Sequence, residues 1–336
     1  MRKLYELYGI YLPIFILILP LAVVLRTVAL FTDLAQYGHF ENDLLANISA
    51  WIAAAAALFF ITYMFTGKKN IKLIPSFESP ANYVPSGLVA VAMAMLGAHL
   101  LATATGTDLH AQSIYGRIIS IAAPILAFIS VIYFALSTIM IARRSIRRSD
   151  FGIITLMFIC MYVAYIYLDP ALPINAPTKI TDEIAYLAIA MFFLGETRLS
   201  LGRESWRRYI SFAFIGSILT AYSAIPNLIY YFAREESVSL SIYESILTLA
   251  FFIFITSKIF LTPMLTKDAT SDVVSKIIAI EEARREAIES TESTEEPEQT
   301  SAEEDENQIT ISYEEPIEND TAEQTAESEE KEVSAE

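Results

Sequence analysis

TDEIAYLAIAMFFLGETR, residues 181–198, is the stretch on which the topology turns. Its uncharged run, Ile184–Gly195, is bounded by Asp182-Glu183 on one side and by Glu196 and Arg198 on the other. A helix needs about 20 apolar residues to cross ~30 Å of hydrocarbon, so this run is too short to count alone. Its neighbours are clearer. No charge occurs in Leu7–Leu25, Leu44–Gly67, Gly87–Thr107, Ile118–Ala142, Phe151–Leu168 or Tyr209–Ala233. One more apolar run, Leu240–Leu261, carries only Glu244 near its start and Lys258 near its end.

The positive-inside bias decides whether residues 184–195 cross. With eight spans and an inner N-terminus, the inner segments hold Arg2, Lys3, Lys68, Lys69 and Lys72, then Arg143, Arg144, Arg147 and Arg148. They continue with Arg198, Arg203, Arg207, Arg208 and Lys258. The outer loops hold only Arg117, Lys179 and Arg234. Dropping the sixth span would put Arg198–Arg208 outside and spoil that asymmetry. The expected fold is therefore all-α, a polytopic bundle of eight transmembrane helices over residues 1–266 with both termini cytoplasmic. The N-terminal apolar run is too long for a signal peptide and lacks a small-residue cleavage site, so it reads as an uncleaved first span.

Charge divides the chain sharply. Residues 267–336 carry 24 Asp+Glu against 5 Lys+Arg, whereas residues 1–266 carry 15 against 18. Such a balance does not suit a soluble globular domain or a nucleic-acid binder. A single cysteine, Cys160, excludes an intramolecular disulfide and any multi-cysteine zinc site. Val273, Val274, Ile277, Ile278 and Ile288 recur among charges at helical spacing, predicting a juxtamembrane amphipathic helix over 267–290. Residues 291–336 are a low-complexity mixture of Glu, Thr, Ser, Ala and Gln that buries too little to offset ordering entropy, so a disordered acidic tail is expected. Within it, Ile309–Tyr313 is a short β-prone patch, and residues 271–317 are the segment expected to meet a cytoplasmic protein partner.

Several polar residues reach a similar depth in the outer half of the spans: Arg26, Asn47, His99, Asn227 and Glu244. A charge buried in lipid costs at least about 2.5–3.5 kcal/mol, so it faces protein or water. These five residues are the candidate ligand site, an outward-facing pocket closed by an Arg26–Glu244 ion pair and walled by Tyr162, Tyr165, Tyr222 and Tyr230. The alternative is that Arg26 snorkels to the headgroups, Glu244 sits in the interface and the tyrosines form an aromatic belt. Thr103, one turn from His99, is its candidate hydrogen-bond partner. At the inner face Arg143, Arg144, Arg147 and Arg148 form a basic cluster suited to topology and anionic lipid, or to holding the acidic tail. Small residues four apart, Ala46, Ala50, Ala54 with Ala57 and Ala90, Ala94, Ala98, Ala102, predict close packing of the second span on the third.

No phosphate loop, zincin motif, nucleophile elbow or paired-histidine box occurs, so no enzyme, cofactor or metal is expected. Asp33, His39, Glu41, Asp43, Asp108 and His110 share the outer face, but nothing in their spacing fixes a metal geometry. Two functions follow from the pattern. The first is a non-enzymatic sensor or scaffold in a lipid bilayer whose acidic tail recruits a cytoplasmic partner. The alternative is a small-molecule transporter or permease with an outward-facing polar pocket and a solubilising tail. Sparse cysteine, short loops and the missing cleavage site fit a bacterial cytoplasmic membrane.

Overall fold

The apolar runs fold into helices in the computed structural model, which describes residues 2–35, 38–67, 80–104, 114–142, 151–170, 172–200, 206–238, 241–261 and Ala279. In chain order the helices are α1 (Arg2–Tyr8), α2 (Tyr11–Asp33), α3 (Asp43–Thr66), α4 (Tyr83–Ala104) and α5 (Ile114–Ala142). They continue as α6 (Gly152–Leu168), α7 (Pro177–Ser200), α8 (Trp206–Arg234) and α9 (Ile242–Leu261). Among the described residues there is no β-strand, only an isolated antiparallel bridge from Leu34 to Phe40. The Arg143, Arg144, Arg147 and Arg148 cluster lies outside the described residues. So do the segments 267–290, Ala279 apart, 271–317 and 291–336.

Six of these helices are long and apolar enough to cross a membrane: α2, α3, α4, α5, α8 and α9. α6 is apolar but shorter, at 17 residues, and α7 carries several charges. The first run differs from expectation. Gly9 takes φ +56°, a conformation open to glycine, and separates α1 from α2, so the long helix starts at Tyr11 rather than Leu7. α1 is still anchored, because Tyr8 is buried and donates to the Ile259 carbonyl of α9 at 2.7 Å.

Local chemistry sets the other ends. Asn42 caps α3 by accepting from the Leu44 amide at 3.2 Å. α8 closes at Glu235 in the left-handed region, φ 58°, its amide bonded to the Tyr231 carbonyl at 2.7 Å. Pro20, Pro124 and Pro226 lie inside α2, α5 and α8, as proline does in apolar surroundings where neighbouring groups satisfy the freed backbone.

Six helices, α4 to α9, pack each on the next, and α4 meets α9 to close a ring. α2 and α3 pack on one another and both lie against α8, which is buried along most of its length. Phenylalanine fills the ring. Phe134 of α5 lies edge-on to Phe254 of α9 at 5.6 Å, and Phe193 of α7 stacks on Phe254 at 6.0 Å. Phe251 completes the plug at 5.6 Å from Phe193.

The expected pairing of the second and third long spans is not the packing observed. α3 packs on α2 and α8, whereas α4 packs on α5 and α9. Each helix has more than one small-residue face, and the predicted stripes are largely the wrong ones: Ala50, Ala54, Ala98 and Ala102 are exposed. On α3 the buried alanines are Ala53 and Ala56. On α4 the close approach is at Gly97, where a Cβ would stand 3.3 Å from that of Ala127 on α5.

Candidate functional site

α7 is built inside out. Lys179, Asp182, Tyr186, Ile189, Phe193 and Glu196 recur at helical spacing and are all buried in the bundle. Ile180, Ile184, Leu187 and Met191, on the opposite stripe, are exposed. A soluble helix shows the reverse pattern. Each buried charge has partners on other elements. Lys179 is fully buried and donates to the carbonyls of Tyr167, Asp169 and Leu172 at 3.1, 2.7 and 3.3 Å, which ties it to the C-terminal end of α6. It was expected in an outer loop, and its place in α7 is a correction.

Near the start of α7 two adjacent residues engage α2 and α8. Thr181 Oγ1 accepts from Arg26 Nη1 at 3.0 Å, and the guanidinium carbon of Arg26 lies 4.6 Å above the Tyr222 ring. Asp182 Oδ1 accepts from Ser223 Oγ at 2.5 Å and from Asn227 Nδ2 at 3.4 Å. The pairs 181–182 and 222–223 therefore serve Arg26 and the Asp182 carboxylate side by side. Tyr222 also reaches α3, with its hydroxyl 2.8 Å from Ser49 Oγ.

Glu244 lies beside this cluster on α9. Tyr186 Oη donates to its carbonyl at 3.4 Å, and Thr248 Oγ1 stands 2.9 Å from that carbonyl and 3.1 Å from Tyr186 Oη. The Tyr186 ring meets Tyr162 edge-on at 4.9 Å. A narrow cleft lined by Asn227, Leu228, Tyr231, Val238, Ile242 and Ser245 reaches Asn227 between the end of α8 and the start of α9.

Three of the five expected site residues come together here. Arg26, Asn227 and Glu244 are buried at the same end of the bundle, which rules out free snorkelling of Arg26. The expected Arg26–Glu244 ion pair is not formed: the guanidinium is held by Thr181 and Tyr222. Tyr186 and Thr248 bond only the backbone carbonyl of Glu244, and its buried Oε2 has no partner among the described residues. Asn47 is exposed on α3. His99 is half-buried and lies against the Tyr243 ring at 4.8 Å, while Thr103 bonds backbone carbonyls of His99 and Leu100 rather than the imidazole. Tyr162, Tyr165 and Tyr222 are buried, and Tyr230 packs on Phe31.

Asp182, Thr181, Tyr186 and Ser223 are the site residues that depth counting missed. Asp182 stands two residues before the weak run and carries no signal of its own in the sequence. Its burial shows only when Ser223 and Asn227, some forty residues on, close over it.

At the far end of the same helix, Glu196 Oε1 and Lys258 Nζ of α9 form a buried ion pair at 3.2 Å. Lys258 Nζ also lies 4.7 Å from the Phe254 ring, the centre of the plug. Two charged layers thus stand on α7 and α9, separated by phenylalanine. Among the described residues no three His, Cys, Asp or Glu side chains gather as a metal site. No protein-family model, no curated protein and no solved structure matches the chain.

Proposed function

We propose that the chain is an eight-span integral protein of a cell membrane, with both termini cytoplasmic, and that it is a non-enzymatic sensor. Its outer polar cluster takes a small ligand, and its acidic tail recruits a cytoplasmic protein through residues 271–317. The inside-out pattern of α7 supports counting it as a span. At about 1.5 Å per residue its 24 residues cover roughly 36 Å, more than the hydrocarbon requires. α6 covers about 26 Å, with the Lys179 clamp at its end. A bacterial cytoplasmic membrane suits the short loops and the single cysteine.

One observation carries the ligand site: Arg26, Asp182, Asn227 and Glu244 are buried together at one end, above a phenylalanine plug. Ionisable groups inside a membrane bundle are costly and mark functional sites. The plug favours a sensor over an open pore, because Phe193, Phe251 and Phe254 are fully buried and pack on one another between the two charged layers. A ligand that alters the outer ends of α7 and α9 reaches the Glu196–Lys258 pair through the same two helices, provided it binds one arrangement of them better than another. The buried carboxylates Asp182 and Glu244 favour the second reading, a permease, in which the plug is one state of an alternating cycle.

Crosslinking in native membranes, with partners identified by mass spectrometry, separates these readings. The full chain is compared with a form ending at Thr266. A cytoplasmic partner lost with the tail supports the sensor. Identical captures from both forms overturn tail recruitment and leave the permease, for which solute uptake survives truncation.

A further inference from the structure

The outer cluster has polar atoms that the protein does not use. Arg26 spends Nη1 on Thr181 and its face on Tyr222, but Nε and Nη2, both buried, have no acceptor. Asn227 donates its amide to Asp182, and its own buried Oδ1 receives nothing. An unpaired guanidinium edge in so dry a place costs more than an unpaired neutral group. The Nε–Nη2 edge is also a planar fork that matches two coplanar oxygens of an anion.

The surroundings argue against a plain anion. Asp182 follows Thr181 directly and shares the Tyr222–Ser223 step with Arg26, and Glu244 approaches from α9. An incoming negative charge meets the carboxylates of Asp182, its neighbour Glu183 and Glu244, against the Arg26 guanidinium and a Lys179 ammonium already held by three carbonyls. A ligand that brings a positive charge of its own meets no such penalty. Asn227 Oδ1 offers that charge an acceptor beside Asp182, and Asn227 is the residue that the α8–α9 cleft reaches.

We propose that this cluster binds a small zwitterion, its oxyanion on Nε and Nη2 of Arg26 and its ammonium on Oδ1 of Asn227 beside Asp182. The inference rests on the reading of the outer cluster as a ligand site and names its ligand class. Two sources carry this chemistry: a free amino acid and the headgroup of an ethanolamine phospholipid. A choline headgroup lacks the N–H that Asn227 would accept.

The test uses full-length protein purified in detergent free of phospholipid and follows its thermal unfolding. Each common amino acid is added in turn, with acetate and methylammonium as the single-charged halves. Phosphatidylethanolamine is then compared with phosphatidylcholine. At least one zwitterion is expected to raise the unfolding midpoint where neither half does. Its affinity should fall about tenfold or more in Arg26→Lys, which keeps the charge but loses the fork. Asn227→Leu is the second variant should Arg26→Lys not fold, and the exposed-site variant Asn47→Ala should bind as the parent does. Protection by phosphatidylethanolamine alone supports the zwitterion and assigns it to lipid. Acetate protecting as well as any amino acid overturns the zwitterion but keeps a ligand site. No shift with any solute or lipid overturns both.

Discussion

Glu196 of α7 and Lys258 of α9 meet at 3.2 Å with 7% and 3% of their side chains exposed. Taking two charges out of water is repaid chiefly by their mutual attraction, so removing one costs the other its ion-pair partner in the bundle. Lys258→Met should destabilise the folded protein by about 3–5 kcal/mol, and the double change with Glu196→Gln should recover most of that loss. Unfolding in mixed micelles, followed by circular dichroism, measures both. Equal losses in the single and double variants would show that the pair is not coupled.

Lys179 should behave as a helix clamp. Its ammonium satisfies three part-buried carbonyls around the end of α6, and Lys179→Met takes that donor from all three. The expected cost is about 3 kcal/mol, with hydrogen exchange rising first at residues 165–172. Uniform exchange along the whole of α6 would contradict a local clamp.

Engineered cysteines distinguish the observed packing of α4 from the one its alanines suggest. In a Cys160→Ser background, Gly97→Cys with Ala127→Cys should crosslink readily, since the two Cβ positions are about as close as a disulfide requires. Ala54→Cys with Ala98→Cys should stay reduced. Crosslinking of the second pair but not the first would restore the α3–α4 interface.

Cys160 itself reports on α6. It is exposed near the middle of a helix proposed to face lipid. A charged, water-soluble maleimide should therefore leave it unlabelled in intact membranes and label it once the protein is unfolded in detergent, because the reacting thiolate does not form in hydrocarbon. Rapid labelling by the charged reagent would place α6 outside the bilayer.

Helix positions were legible because apolar runs of twenty residues have few other uses, and every expected run but the first, which breaks at Gly9, lies on a single helix. Azimuth was not legible. Counting residues from the outer ends put Arg26 and Glu244 at one depth, but depth does not say which side of a helix faces which neighbour. Arg26 turned to Thr181 and Tyr222, while Glu244 meets Tyr186 only through its backbone carbonyl. The alanine stripes failed for the same reason, since Ala98 and Gly97 are adjacent in sequence yet one faces out and the other meets Ala127. Glu196 and Arg198 read as interruptions of a weak span and Asp182 gave no signal, because the partners of Asp182 and Glu196 lie on α8 and α9.

That dependence has a consequence for how the protein is made. An α7 leaving the ribosome carries Lys179, Asp182, Glu183 and Glu196 before Ser223, Asn227 or Lys258 has been synthesised. A charge opposes entry into lipid by about 2.5–3.5 kcal/mol at the centre of a helix and by less toward its ends. These four lie toward the ends of α7, so their costs add to a modest total. If α7 is a span as proposed, its partitioning improves when α8 and α9 arrive, and the last three helices should enter together, late in translation. A nascent chain stopped after α7 should leave that helix in water, accessible to protease, whereas one stopped after α9 should protect it.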